Sequence, residues 1–278
     1  MKRNIVIVGL GLIGGSLARA FRKYTDFAVA GIDRDPGVLQ AALDCGAIGK
    51  AGGEEDILRA DILFLCLYPQ ACLDFVREHI RSIRPGCLVT DTCGVKSYLC
   101  PRLAREAAER GFLFVGGHPM AGTEKHGFEV SSADLFLGAS YLLVPCGAPA
   151  EAVGLLKSTV APLGITRTVE TTPEEHDRMI AFTSQLPHVL ACAYVMSPQC
   201  PEHDGFSAGS YRDVSRVANI NETMWAELFL ENRVPLVKEL DTLLLNIGGM
   251  RDAIDAEDRP ALQALLRKGR LIKEGLGE

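Results

Sequence analysis

Three glycines, Gly9, Gly11 and Gly14, form the pattern G-x-G-x-x-G between two segments of opposite character. The β-branched run Ile5–Val8 precedes them and predicts a strand, while Ile13–Lys23 follows them and predicts a helix. In such a unit the first glycine permits a tight turn, the second lets the backbone approach a pyrophosphate, and the third lets helix and strand pack closely. The pattern therefore predicts a dinucleotide at the helix N-terminus, where free N–H groups and the helix dipole favour anions.

An acidic residue follows the next predicted strand, Phe27–Ile32. Asp33 lies 33 − 14 = 19 positions after Gly14, close to the spacing of about 20 at which a carboxylate meets the adenosine ribose. A carboxylate accepts a hydrogen bond from the ribose 2′-OH and repels a 2′-phosphate, so NAD is predicted over NADP, although the adjacent Arg34 could attract that phosphate. In the alternative interpretation the glycines only make a tight turn and Asp33 caps the next helix.

The first part of the chain alternates strand-like and helical segments, which predicts an α/β Rossmann-type domain with a mainly parallel sheet covered on both faces. Tyr68 and Pro69 follow one of these strands, where such folds lay the cofactor across the sheet. The further predicted strands are Ile62–Leu67, Leu88–Thr90, Phe112–Val115 and Tyr141–Val144. The further predicted helices are Pro36–Cys45, Gln70–Ile83, Ser97–Arg110 and Ala150–Val160. The predicted cofactor-binding residues are Gly9, Leu10, Gly11, Leu12, Ile13, Gly14, Asp33, Arg34, Tyr68 and Pro69.

The pattern changes near residue 171, and we predict an N-terminal domain over 1–170 and an all-α C-terminal domain over 171–278. Thr172 is the expected N-cap of a helix, with Pro173 at its first position and Glu175 closing a capping box. Met179–Met196 is apolar on most sides, which predicts a helix buried all round. Further helices are expected over Glu222–Asn246 and Pro260–Lys273. Because an apolar helical domain of this size often packs against a second copy of itself, we expect a homodimer.

Composition narrows the function classes. Asp and Glu outnumber Lys and Arg by 35 to 29, so neither a nucleic acid nor an anionic membrane is an expected partner. The nine cysteines are odd in number and contain no C-x-x-C pair, which favours reduced, mostly buried thiols over disulfides or a metal site. The apolar run after Lys2 and Arg3 is interrupted by glycines and no cleavage site follows it, so we expect no signal peptide. We expect no membrane span, since no apolar stretch is long enough, and a cytoplasmic location.

Three further segments carry more specific information. They are Thr90-Asp91-Thr92-Cys93-Gly94-Val95-Lys96, Gly117-His118-Pro119-Met120-Ala121-Gly122-Thr123-Glu124 and Ser184-Gln185-Leu186-Pro187-His188. Together with the glycine turn, the segment Arg212–Arg216 and Trp225, this set resembles the prephenate/arogenate dehydrogenase family of tyrosine biosynthesis. The likeness runs from about residue 4 to about residue 240. It implies NAD-dependent oxidative decarboxylation of a small cyclohexadienol, in which a hydride leaves C4, CO2 leaves C1 and the ring becomes aromatic.

The resemblance also implies roles for individual residues. His118 matches the catalytic histidine, which accepts the proton of the C4 hydroxyl; a histidine with a pKa near 6.5 in a strand-exit loop suits that task. Arg216 matches the residue that binds a substrate carboxylate, and its planar guanidinium suits a bidentate grip. The other matched substrate-binding positions are His188, Trp225, Gly209, Gly94 and Glu124.

Each role has a structural alternative. His118 could simply bond backbone, Arg216 could pair with a neighbour such as Asp213, and Trp225 could belong to the core. Pro187 inside a helix would free the carbonyl near Thr183 and introduce a kink, beside which His188 could be a packed core residue. Glu124 could be a solvated loop charge.

One position departs from the family pattern. Many members carry a serine where this chain has Gly94, and a glycine cannot supply the hydroxyl that supports the catalytic histidine. Water, a backbone N–H or Cys93 could substitute. His126 and His176 match no catalytic position, and we expect His176 and Asp177 to anchor the start of the second domain.

Other functions remain open at this point. A β-hydroxyacid or 6-phosphogluconate-type dehydrogenase would share the two-domain layout but would want a catalytic lysine where this chain offers His188. A dinucleotide-binding regulator would bind NAD without turnover. The pattern does not decide whether the substrate is prephenate or arogenate, because the two differ only in the side chain, which carries a ketone in prephenate and an amine in arogenate.

Overall fold

The computed structural model describes residues 3–277. Met1, Lys2 and Glu278, which belong to the predicted domains, lie outside the described residues. The chain forms two compact units, Met1–Asn232 and Arg233–Glu278. This division follows compactness, whereas the predicted boundary after residue 170 follows the change from mixed to helical structure, and that boundary stays a prediction.

A six-stranded sheet forms the centre of the first unit. Its order is β3-β2-β1-β4-β5-β6 and every pairing is parallel. The strands are β1 (Asn4–Val8), β2 (Ala28–Ile32), β3 (Lys50–Ala51), β4 (Ile62–Leu65), β5 (Leu88–Asp91) and β6 (Leu113–Phe114). The helices between and after them are α1 (Leu12–Tyr24), α2 (Pro36–Asp44), α3 (Glu54–Arg59), α4 (Pro69–Glu78), α5 (Cys100–Arg110) and α6 (Ala150–Val160). The predicted Rossmann-type sheet is confirmed.

Both faces of this sheet are covered. Alternate residues of β1 point to opposite faces, so Ile5 and Ile7 join one buried apolar cluster, while Val6 and Val8 join the other. The all-apolar strands that predicted a parallel sheet are apolar for this reason. The short elements β3 and α3 were not predicted, because two residues of strand and six of helix are too brief to show a period.

A second sheet of three strands, in the order β7-β8-β9, follows the first. It consists of β7 (Gly116–Pro119), β8 (Ser140–Val144) and β9 (Arg167–Glu170), with β7 antiparallel and β9 parallel to β8. His118 lies within β7, opposite Leu142, so its predicted position in a strand-exit loop is wrong. A strand as short as GGHP has two glycines and a proline, which conceal its extended backbone from sequence patterns.

The described residues after β9 form helices and connecting loops without a strand, as predicted. The α-helices are α7 (Pro173–Ile180), α8 (Leu186–Val195), α9 (Gly209–Ser215), α10 (Glu222–Glu231), α11 (Arg233–Asp255) and α12 (Arg259–Gly275). Thr172 caps α7 by accepting a hydrogen bond from the Glu175 N–H, and Pro173 occupies the first turn. In the second unit, Asp258 caps α12 in the same way.

The prediction of one helix over Met179–Met196, buried all round, is wrong in two respects. A π-helical turn over Ala181–Gln185 separates α7 from α8, and in the single chain Phe182 is 56% and Tyr194 45% exposed. Pro187 lacks the N–H that a continuous α-helix needs, which accounts for the irregular turn just before it.

The structure bears on two expectations, that the cysteines are reduced and mostly buried and that no segment spans a membrane. All nine cysteines are free; Cys72, Cys87, Cys93 and Cys100 are buried, whereas Cys45 is exposed. None of the helices within residues 3–277 combines the length and apolar character needed to cross a bilayer.

Candidate active site

The glycine turn joins β1 to α1, and its three glycines meet different surroundings. Gly9 has a φ of +86°, and a Cβ there would lie 2.5 Å from the Cys66 carbonyl oxygen. At Gly14 a Cβ would lie 1.8 Å from the Gly9 carbonyl oxygen. At Gly11 no described atom lies within 4 Å of that position. The turn and packing roles predicted for Gly9 and Gly14 are therefore met, and the open space at Gly11 suits the predicted approach of a pyrophosphate.

The N-terminus of α1 receives no side-chain cap, so the N–H groups of its first turn, which includes Leu12 and Ile13, are available to an anion. The side chain of Leu10 is fully buried, which restricts its predicted contribution to the backbone. These features fit a dinucleotide pyrophosphate.

Asp33 follows β2 and accepts two backbone hydrogen bonds. Its Oδ2 accepts from the Leu10 N–H at 2.7 Å, and its Oδ1 accepts from the Asp35 N–H at 3.0 Å. The carboxylate is thus held beside the glycine turn with lone pairs left over for a ribose hydroxyl. Asp35, and not Asp33, caps α2, which removes the alternative interpretation of Asp33. The neighbouring Arg34 is exposed.

The carboxyl ends of β1 and β4 are neighbours at the point where the strand order reverses, the usual place for a ligand in such sheets. Tyr68 and Pro69 lie just past β4: Tyr68 precedes α4 and is 39% exposed, while Pro69 is buried. The glycine turn, Asp33 and Tyr68 therefore follow three adjacent strands at one edge of the sheet.

His118 lies in a chain of hydrogen bonds that was not predicted. Its Nδ1 is 2.9 Å from Nε2 of His176, and Nδ1 of His176 is 2.8 Å from Oδ1 of Asp177. His176 and Asp177 are 1% and 3% exposed. Burial is the main cause that holds the pKa of His118 well below its usual value, and the electrostatic effects of the neighbouring His176 and Lys96 add to it. His118 is therefore neutral and able to accept a proton near pH 7.

The only sequence signal for His176 was its place beside an acidic residue, a His-Asp pair at a helix start. The expected anchoring role of Asp177 is also met. Its carboxylate accepts from the backbone N–H groups of Lys96 and Ser97, each at 2.8 Å, and its carbonyl accepts from Nδ2 of Asn232 at 2.9 Å.

A fully buried ion pair lies next to this cluster. The Lys96 ammonium donates to the Asp91 carboxylate and, at 2.9 Å, to the Cys93 carbonyl. Burial lowers the pKa of the Lys96 ammonium, but the charge and hydrogen bond of Asp91, together with Cys100 and Cys93, raise that pKa above its usual value. Asp91 also accepts from the Gly117 N–H at 3.2 Å, which attaches the pair to the strand of His118.

Arg216 and Glu124, two predicted substrate residues far apart in sequence, form an ion pair. The alternative partner proposed for Arg216, Asp213, is not the one it contacts. The Arg216 side chain is 59% and that of Glu124 32% exposed. A hydrogen bond from its own backbone N–H, followed by the one from Arg216, lowers the pKa of Glu124. A guanidinium at the surface with a single carboxylate partner can exchange that partner for a ligand carboxylate.

His188 and Trp225 form a second pair, with stacked rings 3.9 Å apart. Nδ1 of His188 donates to the Ser184 carbonyl at 2.8 Å. Burial is the main cause that lowers the pKa of His188. A neutral ring held in this way presents an acceptor at Nε2.

Two predicted positions lie apart from these clusters. Gly94 faces Leu228, whose side chain lies 3.6 Å from a Cβ built at Gly94, and Gly209 has no described atom within 4 Å of such a Cβ. The Cys93 thiol donates to the Leu67 carbonyl at 3.4 Å, so Cys93 does not take the place of the missing serine hydroxyl. Within residues 3–277 no three His, Cys, Asp or Glu side chains are grouped to hold a metal ion.

Comparison with known proteins identifies the family. The model described as "Prephenate dehydrogenase, nucleotide-binding domain" matches residues 17–168, and that described as "Prephenate dehydrogenase, dimerization domain" matches residues 172–268. The chain belongs to the prephenate dehydrogenase family. A prephenate dehydrogenase of Bacillus subtilis (strain 168) is 30% identical over 290 residues, which cover 99% of this chain and 76% of the relative.

Two solved structures of this family have a similar fold. Prephenate dehydrogenase from Aquifex aeolicus, in complex with hydroxyphenyl propionate and NAD+, has a TM-score of 0.87 at 27% identity, over 99% of each chain. The Synechocystis arogenate dehydrogenase has a TM-score of 0.82 at 27% identity, over 99% of this chain and 100% of that one. These comparisons support an NAD-dependent oxidoreductase and leave the role of each site residue to be tested.

Proposed function

We propose that this chain catalyses the NAD-dependent oxidative decarboxylation of prephenate to 4-hydroxyphenylpyruvate, or of arogenate to tyrosine. The family match supports the reaction class. The observation that carries the assignment of residues is the half-buried, neutral His118 on β7, where the neighbouring Gly117 N–H donates to Asp91 of the Asp91–Lys96 pair. When bound, NAD accepts the hydride from C4 of the ring.

His118 accepts the proton of the C4 hydroxyl, which lets electrons flow toward the ring as the C4 hydride leaves. Loss of CO2 from C1 then completes an aromatic ring, and aromatisation supplies the driving force. The protein must therefore orient the ring more than activate it.

Arg216 binds a substrate carboxylate after exchanging its contact with Glu124, which lies at the rim and governs that exchange. The stacked His188 and Trp225 line the pocket for the side chain of the substrate. Gly209 and Gly94 contribute backbone to the pocket wall; the surroundings of Gly209 are open, whereas Gly94 faces the Leu228 side chain.

For the cofactor, we propose that the α1 N-terminus and the glycine turn hold the pyrophosphate. Asp33 binds the adenosine ribose and disfavours a 2′-phosphate, so NAD is used in preference to NADP. The exposed Arg34 does not outweigh the carboxylate, which is anchored by two N–H groups.

The helical region is proposed to form a homodimer. Exposed apolar side chains on α7 and its continuation, such as Met179 and Phe182 at 42% and 56% exposure, are unusual for a surface that stays in water. They lie in the segment matched by the dimerization-domain model. Light scattering coupled to size exclusion checks this, and a monomeric mass would contradict it. Since all nine cysteines are free thiols, we propose a reducing compartment, the cytoplasm.

The deciding experiment mixes the purified protein with each pairing of prephenate or arogenate with NAD or NADP and follows the absorbance of the reduced nicotinamide. Turnover with NAD and at least one of the two substrates is expected. Cofactor binding without turnover on either substrate would contradict the proposed reaction and favour a regulator. The ratio of kcat/KM values between the two acids would assign the physiological class of substrate.

A further inference from the structure

His176 has no role in the reaction outlined above, although its contacts are those of a functional residue. Its ring is buried between His118 and Asp177, and both of its nitrogens are engaged, at 2.9 Å and 2.8 Å. A histidine that only filled the core would not need to meet a second histidine at one nitrogen and a carboxylate at the other.

The donors along this chain can be assigned from chemistry. The ionised carboxylate of Asp177 only accepts, so Nδ1 of His176 carries a hydrogen. Burial lowers the pKa of His176, so the ring is neutral and its Nε2 has a lone pair. Nδ1 of His118 must then donate to that lone pair, which leaves Nε2 of His118 unprotonated. No described protein group hydrogen-bonds to that nitrogen.

Asp177 is itself held from three directions. The N–H groups of Lys96 and Ser97 donate to its two carboxylate oxygens, and Asn232 donates to its carbonyl. The hydrogen bond from His176, followed by that from Ser97, holds the pKa of Asp177 below its usual value despite burial. The carboxylate therefore stays ionised and can only accept a hydrogen bond from His176.

We propose that His176, oriented by Asp177, is a positioning residue that holds His118 in the tautomer whose Nε2 can accept the substrate proton. The proposal rests on the proposed role of His118 as the base. Gly94 supplies no hydroxyl to that histidine, so His176 is its single side-chain partner among the described residues. The arrangement follows the general rule that the partner of one imidazole nitrogen decides the state of the other.

The charged groups around His118 are Lys96, which is paired with Asp91, and the His176–Asp177 pair. When His118 takes up a proton, its imidazolium is opposed by Lys96 and stabilised through His176 by the carboxylate of Asp177. Removing the charge of Asp177 should therefore make His118 a weaker base.

The test uses three replacements of His176. Glutamine can place its Oε1 near the former Nε2 and accept from His118, so His176→Gln should keep kcat within about tenfold of the wild type. Asparagine is too short to reach His118, and phenylalanine fills the space without an acceptor. His176→Asn and His176→Phe should each lower kcat on the order of 10²-fold, since the wrong tautomer is costly in comparable dyads. Equal losses in all three variants, with unchanged NAD affinity, would overturn the proposal.

Asp177→Asn adds a readout that a purely structural role would not move. Loss of the negative charge lowers the pKa of His118, so the acid limb of kcat/KM should shift to lower pH. A reduced rate with the limb unmoved, or a shift to higher pH, would overturn the proposal.

Histidine ring nitrogen NMR separates this proposal from the proposed reaction, because it needs no turnover. In protein labelled with 15N-histidine, His118, assigned by comparison with His118→Asn, should show a protonated Nδ1 and a bare Nε2 in the wild type and in His176→Gln. His176→Phe should lose that state. A protonated Nε2 in the neutral wild type would refute the proposal even if the enzyme is active, and the expected spectrum would support it even if neither acid is turned over.

Discussion

The cofactor turn and the histidine cluster lie in the same compact unit but are built in opposite ways. The turn is one continuous stretch, Gly9–Gly14, and its important groups are backbone N–H groups and missing side chains. The cluster takes side chains from β7 and α7 and backbone N–H groups from the segment after β5, with His118 and His176 separated by 58 positions. A site made of backbone is defined by local sequence, whereas a site made of side chains is defined by packing.

The largest expected effect that distinguishes the histidine cluster from the cofactor turn is that of His118→Asn. Removing the base should lower kcat by about 10³-fold, within the range found for general base catalysis, while NAD affinity stays unchanged. Steady-state kinetics and a fluorescence titration with NAD measure the two quantities. If NAD affinity fell in proportion to kcat, the regions would not be independent.

Arg216→Gln tests the outer part of the side-chain site. Loss of a bidentate carboxylate contact should raise KM for the substrate on the order of 10²-fold with a much smaller change in kcat. Glu124→Gln is the matched control, because it frees Arg216 from its ion pair and should leave KM unchanged or lower it a few-fold. An unchanged KM in Arg216→Gln would contradict the assigned role.

Two alanine replacements distinguish the packing role of Gly14 from the pyrophosphate-binding role of Gly11. At Gly14 a methyl group would meet the Gly9 carbonyl at 1.8 Å, so Gly14→Ala must shift backbone and should lower both the unfolding temperature and, by tens of fold, NAD affinity. At Gly11 the space is open in the protein, so Gly11→Ala should keep the unfolding temperature and weaken only NAD binding. Calorimetry and NAD titration measure both. Normal NAD affinity in Gly11→Ala would place the pyrophosphate elsewhere.

Asp33→Asn should lower the preference for NAD over NADP by about tenfold, since an amide keeps one acceptor for the ribose but no longer repels a phosphate. The ratio of kcat/KM for the two cofactors is the measure, and Arg34→Gln is the control that should reduce only the use of NADP. A ratio that stayed constant in Asp33→Asn would contradict the ribose contact.

The smallest expected effect is in the pH profile of the wild type. Burial and the charge of Lys96 lower the pKa of His118, and only its neutral form can accept a proton. The acid limb of kcat/KM should therefore lie below pH 6.5, the usual value for histidine. A limb at or above that value would show that the cluster does not depress the basicity of His118.

Much of the fold could be predicted because long elements show clear periods. β4 is apolar throughout and β1 is apolar over Ile5–Val8 because both faces of these strands are buried, and α6 was predicted with the bounds that it has. The predictions of secondary structure failed where the local sequence pattern is weak or points to a different element. β7 is rich in glycine and proline, and the π-helical turn at Ala181–Gln185 lies inside a run that looks uniformly helical.

In the candidate site, too, local sequence predicted some features and only the assembled fold revealed others. The motifs named His118, Arg216, Glu124, His188 and Trp225 as candidates, but no pattern predicted that Arg216 would meet Glu124, or that Trp225 would stack on His188. His176 was missed because its importance lies in what its two nitrogens contact, and a side chain's partners are set by the assembled fold.

The sequence by itself determined the parallel sheet, the dinucleotide turn and the acidic residue beside it, because these depend on backbone conformation and on periods only a few residues long. Only the tertiary structure decided the state of His118, the proposed base. A proton's position on an imidazole depends on which groups are packed against it, and here those groups come from segments that meet only when β7, α7 and the end of β5 are packed together.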